Sequence, residues 1–213
     1  MTCWSRLALS PLFSVRAHFW QMVFRPCDFA FSCDLKGLRT MANPLLRFSA
    51  PVIGLRLPSG KMVSVQRCFS QFELWHGTPI QDTYGGKAVL RWKGEPLFAE
   101  LVILRLLQAE GWEGVWIDTY RRKFRQFVPP HSCSLPEHAQ AFLDRANVGR
   151  KWAAGCPDVL AWGEGQYLFV EAKRKGKDRI RKTQLVWLES ALNSVLPLES
   201  FLIFEWRVLD AKL

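Results

Sequence analysis

The sequence predicts an α/β fold: a helix, three strands, a second helix and a fourth strand, preceded by a smaller β-rich piece. Three features point there. An apolar run with helical spacing fills residues 96–109 and is bracketed by Pro96 and Gly111. Residues 158–162 and 166–173 are strand-like runs on either side of Gly163-Glu164-Gly165, a hairpin pattern. A basic segment, 174–182, then feeds a second helical pattern at 183–193, and 201–209 closes as a strand of aromatic and branched residues.

The elements follow in chain order. Residues 52–57 and 61–67 alternate around Pro58-Ser59-Gly60 and are predicted as a hairpin. Gly77 to Gly86 is turn-rich, and Lys87 to Trp92 is expected as a strand closed by Lys93-Gly94. The first helix is expected from Pro96 to Ala109, because a proline is tolerated in the first turn and Gly111 can end it. Val115 to Tyr120 is a strand candidate, followed by the basic cluster Arg121-Arg122-Lys123-Phe124-Arg125. A proline-bearing loop and a short helix at 136–147 lead to Gly155. Residues 41–94 are thus expected as a β-rich extension and 95–213 as the main domain.

Residues 1–40 differ in character, with five basic residues and only Asp28 and Asp34 as acids. Aromatics are scattered there without period. An organellar transit peptide is one reading of that composition. The preferred one is a poorly ordered arm or a mis-assigned start, with Met41-Ala42-Asn43-Pro44 opening the protein.

Composition excludes several classes. With 49% hydrophobic and 23% charged residues, the chain is globular in character, and no long uncharged apolar stretch suits a membrane span. The six cysteines contain no CxxC pair, and His131-Ser132-Cys133 with His138 only imitates a zinc pattern. Reduced thiols in a cytoplasmic protein are expected. The formal charge of +10 suits a polyanionic partner, nucleic acid before membrane, and hence a nucleoid-associated location.

Candidate chemistry gathers around the 163–165 hairpin. If its turn closes with two or four loop residues, Asp158 and Glu171 fall directly opposite each other, with Cβ atoms about 5 Å apart on one face. Lys173 shares that face by the strand period. The other face carries Val159, Ala161, Leu168, Val170 and Ala172, suited to burial under a helix. Two carboxylates that close repel unless a cation or proton lies between them, and Mg²⁺ takes one or two carboxylates plus waters and phosphate oxygens. A surface salt-bridge cluster is the plainer explanation of the same three residues. Glu100 lies amid Leu97, Ile103, Leu104 and Leu107 on the first helix, with Arg105, Phe98 and Ala109 opposite; it needs a metal site, a proton or a buried partner such as an arginine. Gln184 shares a helix face with Trp187, Leu188 and Ala191 and is expected to point at the sheet. Residues 173–182 hold seven positive charges, immediately beyond the acids, where a phosphate backbone would pass.

Pro157-Asp158, followed after twelve residues by Glu171-Ala172-Lys173, resembles the PD-(D/E)XK nuclease motif. The segment Asp178-Arg179-Ile180-Arg181-Lys182-Thr183-Gln184-Leu185-Val186-Trp187-Leu188 resembles the helix of the VRR-NUC (virus-type replication-repair nuclease) subfamily; Gly155 and Trp162 fit as well. The likeness covers roughly residues 95–209. It implies a restriction-endonuclease-like αβββαβ core and Mg²⁺-dependent DNA cleavage, with Mn²⁺ able to substitute. It also implies metal ligation by Asp158, Glu171, the Ala172 carbonyl and the helical acid Glu100. Lys173 would act on the attacking water and the phosphate, and Gln184 would order the site. Arg181 departs from the small hydroxyl residue the family often has there, which bears on the helix cap.

DNA is the expected partner, branched or flapped duplex in particular, because no sequence-reading motif is present. Arg174, Lys175, Lys177, Arg179 and Lys182 are the expected phosphate contacts, with Arg121, Arg122 and Arg150 widening the track. A homodimer is compatible with the sequence. The rival readings are a catalytically inactive nucleic-acid-binding module and a sequence-specific restriction endonuclease with its reader in residues 41–94.

Overall fold

The computed structural model describes residues 42–147, 149 and 151–209; the expectations for residues 1–40 and for Arg150 lie outside them. After a short 3-10 helix (Pro44–Phe48), β1 (Ser49–Arg56) and β2 (Met62–Phe72) form the hairpin expected around Pro58-Ser59-Gly60. A small second hairpin follows, β3 (Leu90–Trp92) and β4 (Glu95–Leu97), then α1 (Ala99–Gln108). Next come β5 (Glu113–Asp118), β6 (Lys123–Arg125) and α2 (Glu137–Ala146). The hairpin strands β7 (Val159–Gly163) and β8 (Gln166–Arg174) lead to α3 (Lys182–Leu192) and β9 (Phe201–Val208).

Seven of these strands make one mixed sheet in the order β1-β2-β9-β8-β7-β5-β6. The β2–β9 and β9–β8 contacts are parallel and the others antiparallel. The amino-terminal hairpin therefore continues the main sheet, joined through β9. One face packs under α1, where Val159, Ala161, Leu168, Val170 and Ala172 are buried as the strand period requires. The other face packs under α2 and α3, with Phe169, Trp187, Leu188 and Ile203. Among the described residues no helix is long and apolar enough to cross a membrane.

The start of the first helix is a correction. Pro96 lies in β4 opposite Arg91, because Lys93 (φ 46°) and Gly94 (φ 87°) reverse the chain in a two-residue turn. Pro96 lacks the amide proton of an interior strand residue, which a two-stranded ribbon tolerates. The helix starts after Phe98. Its far end matches expectation: Gly111 (φ 84°) donates to the Gln108 carbonyl and Trp112 to that of Leu107, closing the last turn. Phe98, on the side opposite Glu100, is itself buried, because α1 is buried nearly all round and only Arg105 and Gln108 within it are partly exposed.

Candidate active site

The residues of interest meet at one end of the sheet, where β5 and β8 leave it and β7 enters. Every β7–β8 pair keeps the expected register, from Gly163 opposite Gln166 to Val159 opposite Val170. Glu164 (φ 46°) and Gly165 (φ 75°) form the two-residue turn that sets it. One step further the ladder stops. The Asp158 carbonyl accepts from the Ile117 amide at 2.7 Å, while its carboxylate Oδ2 accepts from the Ala172 amide at 2.9 Å. Asp158 thus ties β7 to both neighbouring strands and lines a cavity of about 570 Å³.

Glu171 is almost wholly buried, at 1% exposure, and lines the same cavity. Its Oε1 accepts from Lys173 Nζ at 2.5 Å and from Gln184 Nε2 at 2.6 Å, while Oε2 is buried without a partner. Burial, then the charges of Glu171 and Glu100, hold the Asp158 carboxyl well above the usual range. Glu171 is also raised, by burial that outweighs the pull of Lys173. Both carboxyls are therefore held toward the protonated form, which a cation placed between them would reverse.

Gln184 links helix to site. Its Oε1 accepts from the Arg181 amide at 2.9 Å, which caps α3 from inside the first turn and turns Nε2 toward Glu171. The Arg181 side chain supplies no capping bond, so this contact carries that end of the helix. Gly155 makes the approach possible: a Cβ there would lie 2.3 Å from the Thr183 carbonyl oxygen.

Glu100 enters from α1 with a partner that sequence reasoning missed. Lys87 Nζ lies 2.6 Å from Glu100 Oε1 and 4.6 Å from the centre of the Trp116 ring. Burial works against the Lys87 ammonium, but Glu100, Asp158 and Asp118 together raise its pKa. The buried partner foreseen for Glu100 is thus a lysine outside the helix. No local signal marks it, since Lys87 falls in a turn just before β3. The turn is anchored by Tyr84, whose hydroxyl donates to Asp118 Oδ2 at 2.5 Å, and by the Asp82–Arg121 ion pair. Asp118 is itself buried and accepts from Arg125 Nε at 2.8 Å.

The basic residues divide. Lys177 and Arg179 line the cavity with Arg181. Arg174 lies over Trp206 at 5.4 Å and Lys175 over Phe69 at 4.7 Å, while exposed Lys182 opens α3. Arg121 is held by Asp82 and stacks on Tyr84 at 3.9 Å; Arg122 is exposed on the adjoining turn. Neither lines the cavity. A larger hollow of about 710 Å³ surrounds the Glu164-Gly165 turn, but it contains none of these acids, and the chemistry belongs to the smaller one.

Asp158, Glu171 and the Ala172 carbonyl offer hard oxygen donors of the kind that suit Mg²⁺, and the unpartnered Glu171 oxygen is consistent with such a ligand. Glu100 lines the same cavity as Asp158 and Glu171, with its Oε1 held by Lys87. Cys156 also lines the cavity, but burial and the nearby Glu171 and Asp158 hold its thiol far above the usual value, which disqualifies it as a nucleophile. No family model, curated protein or solved structure matches the chain.

Proposed function

We propose that the protein is a metal-dependent phosphodiesterase, a DNA endonuclease with a restriction-endonuclease-like core that selects DNA by shape, in repair, recombination or phage and restriction biology. The observation that carries this is the pairing of half-buried Asp158 and buried Glu171, lining a cavity rimmed by Lys177, Arg179 and Arg181. Asp158, Glu171 and the Ala172 carbonyl would hold Mg²⁺, which when bound supplies Lewis-acid polarisation of a phosphate oxygen and acidifies a bound water. Lys173 leaves Glu171 far enough to stabilise charge developing on the phosphate or to take part in deprotonating the water. Gln184 keeps Glu171 aimed while Lys173 moves. Lys177 and Arg179 hold the phosphate backbone against the cavity mouth.

The lysine pairing of Glu171 and Glu100 favours one rival, an inactive DNA-binding module whose acids are satisfied internally. Labelled flaps, forks and four-way junctions incubated in Mg²⁺, Mn²⁺ or EDTA separate the two. The endonuclease cuts a branched substrate only with metal, and Asp158→Ala or Glu171→Ala abolishes cutting while DNA affinity in EDTA stays within about threefold. Binding without any cleavage in either metal establishes the module instead.

A further inference from the structure

The turn before β3 delivers a cation to the acidic cavity from outside the αβββαβ elements. Lys87 reaches Glu100 Oε1 at 2.6 Å, is only 30% exposed, and lies 4.6 Å from the Trp116 ring centre and 5.3 Å from that of Phe98. It is not a chance surface pair. Lys87 donates its amide to the Thr83 carbonyl, Tyr84 packs edge-on against Phe98, and Asp82 holds Arg121, so the turn is pinned on three sides. Glu100 is 7% exposed and has no other hydrogen-bond partner; its Oε2 is buried and bare. Glu100 lines the cavity with Asp158 and Glu171, but the oxygen with a partner is already taken by an ammonium.

We propose that Lys87 is a positioning residue that occupies Glu100 in place of a metal. The site would then take one divalent ion, on Asp158, Glu171 and the Ala172 carbonyl, with Lys87 as a fixed second cation. This rests on the metal-dependent reading above. An ammonium paired to a carboxylate beside a ring face keeps its charge because the pairing outweighs its desolvation, whereas a second metal ion would need carboxylates that Glu100 alone cannot supply. Lys87 acts through Glu100 and through the field it adds to the cavity, so its effect appears first in metal binding.

The test is Mn²⁺ titration of the full chain by calorimetry and by loss of the free-ion magnetic resonance signal. Five proteins are compared: wild type, Lys87→Met, Lys87→Arg, Glu100→Gln and the charge-neutral double variant. Wild type is expected to bind one Mn²⁺. Lys87→Met frees Glu100 and removes a positive charge, so affinity should rise about tenfold or a second ion should bind. The double variant removes both charges and should return within about threefold of wild type with one ion, because Glu100 is not a ligand. A loss of about tenfold or more in the double variant would mean that Glu100 ligates the metal, overturning the proposal. Two ions in wild type, or no change in Lys87→Met, overturns it as well. Lys87→Arg, which keeps the charge, should bind Mn²⁺ like wild type; if Lys87→Met does not fold, the double variant and this one still decide. If wild type binds no Mn²⁺ at all, the metal-dependent reading itself fails, a result distinct from the others.

Discussion

Gly155→Ala isolates the contact on which the site's geometry depends. Gly155 has φ +80°, and a Cβ added there would lie 2.3 Å from the Thr183 oxygen, 2.7 Å from its carbonyl carbon and 3.3 Å from the Gln184 amide. All three are backbone atoms at the start of α3 and cannot rotate away. Restoring an ordinary 3.4 Å contact requires the first turn of α3 to retreat by about 1 Å. The Gln184–Glu171 hydrogen bond, now 2.6 Å, would then stretch past its useful limit if the helix moved along that line. Two costs add: about 1–2 kcal/mol for an alanine at positive φ, and about 1–3 kcal/mol for forcing the packing. Gly165→Ala supplies the control, since Gly165 has φ +75° with nothing within 4 Å and pays only the first cost. Denaturant and thermal unfolding of both variants should therefore place Gly155→Ala lower by about 1–3 kcal/mol, or roughly 2–12 °C in Tm. Cleavage by the folded Gly155→Ala protein should fall too. Equal destabilisation of the two variants would refute the packing claim, and full activity would refute the link from Gly155 through Gln184 to Glu171.

Asp158 and Glu171 make the metal-free protein sensitive to pH. Their folded-state pKa values are raised, so above the ordinary carboxylate range, about pH 4, the folded chain binds more protons than the unfolded one. Stability contributed by these groups is therefore greatest in acid and falls as pH rises through the raised values. Asp158→Asn keeps an acceptor for the Ala172 amide; it should be more stable than wild type at pH 8, with the gain shrinking toward pH 4, as read from denaturant midpoints. Mg²⁺ should restore stability to wild type at pH 8 and do little for Asp158→Asn. The basic rim predicts a separate pattern: Lys177→Ala and Arg179→Ala should each lower the slope of log DNA affinity against log salt by about one, in EDTA, with all sequences weakened alike. The same variants with unchanged slopes would place the DNA elsewhere.

The hairpin at the heart of the site is legible because its signals are local. A strand period of two and a two-residue turn together put Asp158, Glu171 and Lys173 at one end with their apolar neighbours on the opposite face. Glu100 is legible for a related reason, a charge set in an apolar helix that needs explaining. Its partner is not, because Lys87 meets it through a turn whose position depends on Tyr84 reaching Asp118, 34 residues further along the chain. The same limit hides the joining of β2 to β9: parallel pairing between distant segments leaves no periodic trace in either strand. At Pro96 a local signal misleads, since proline suits a helix's first turn and an unpaired strand edge alike.

That β2–β9 joint has a consequence for synthesis. Gln66 pairs with Leu202, so β2 leaves the ribosome some 136 residues before the strand that will flank it. At about 5–20 residues per second, the amino-terminal hairpin waits roughly 7–27 s with the open edge of β2 unsatisfied. During that interval it is a template for any strand that passes, and Glu171 on β8 likewise lacks the neighbouring strand that stiffens it. The sheet is complete only once β9 lies between β2 and β8, joining the amino-terminal hairpin to the rest.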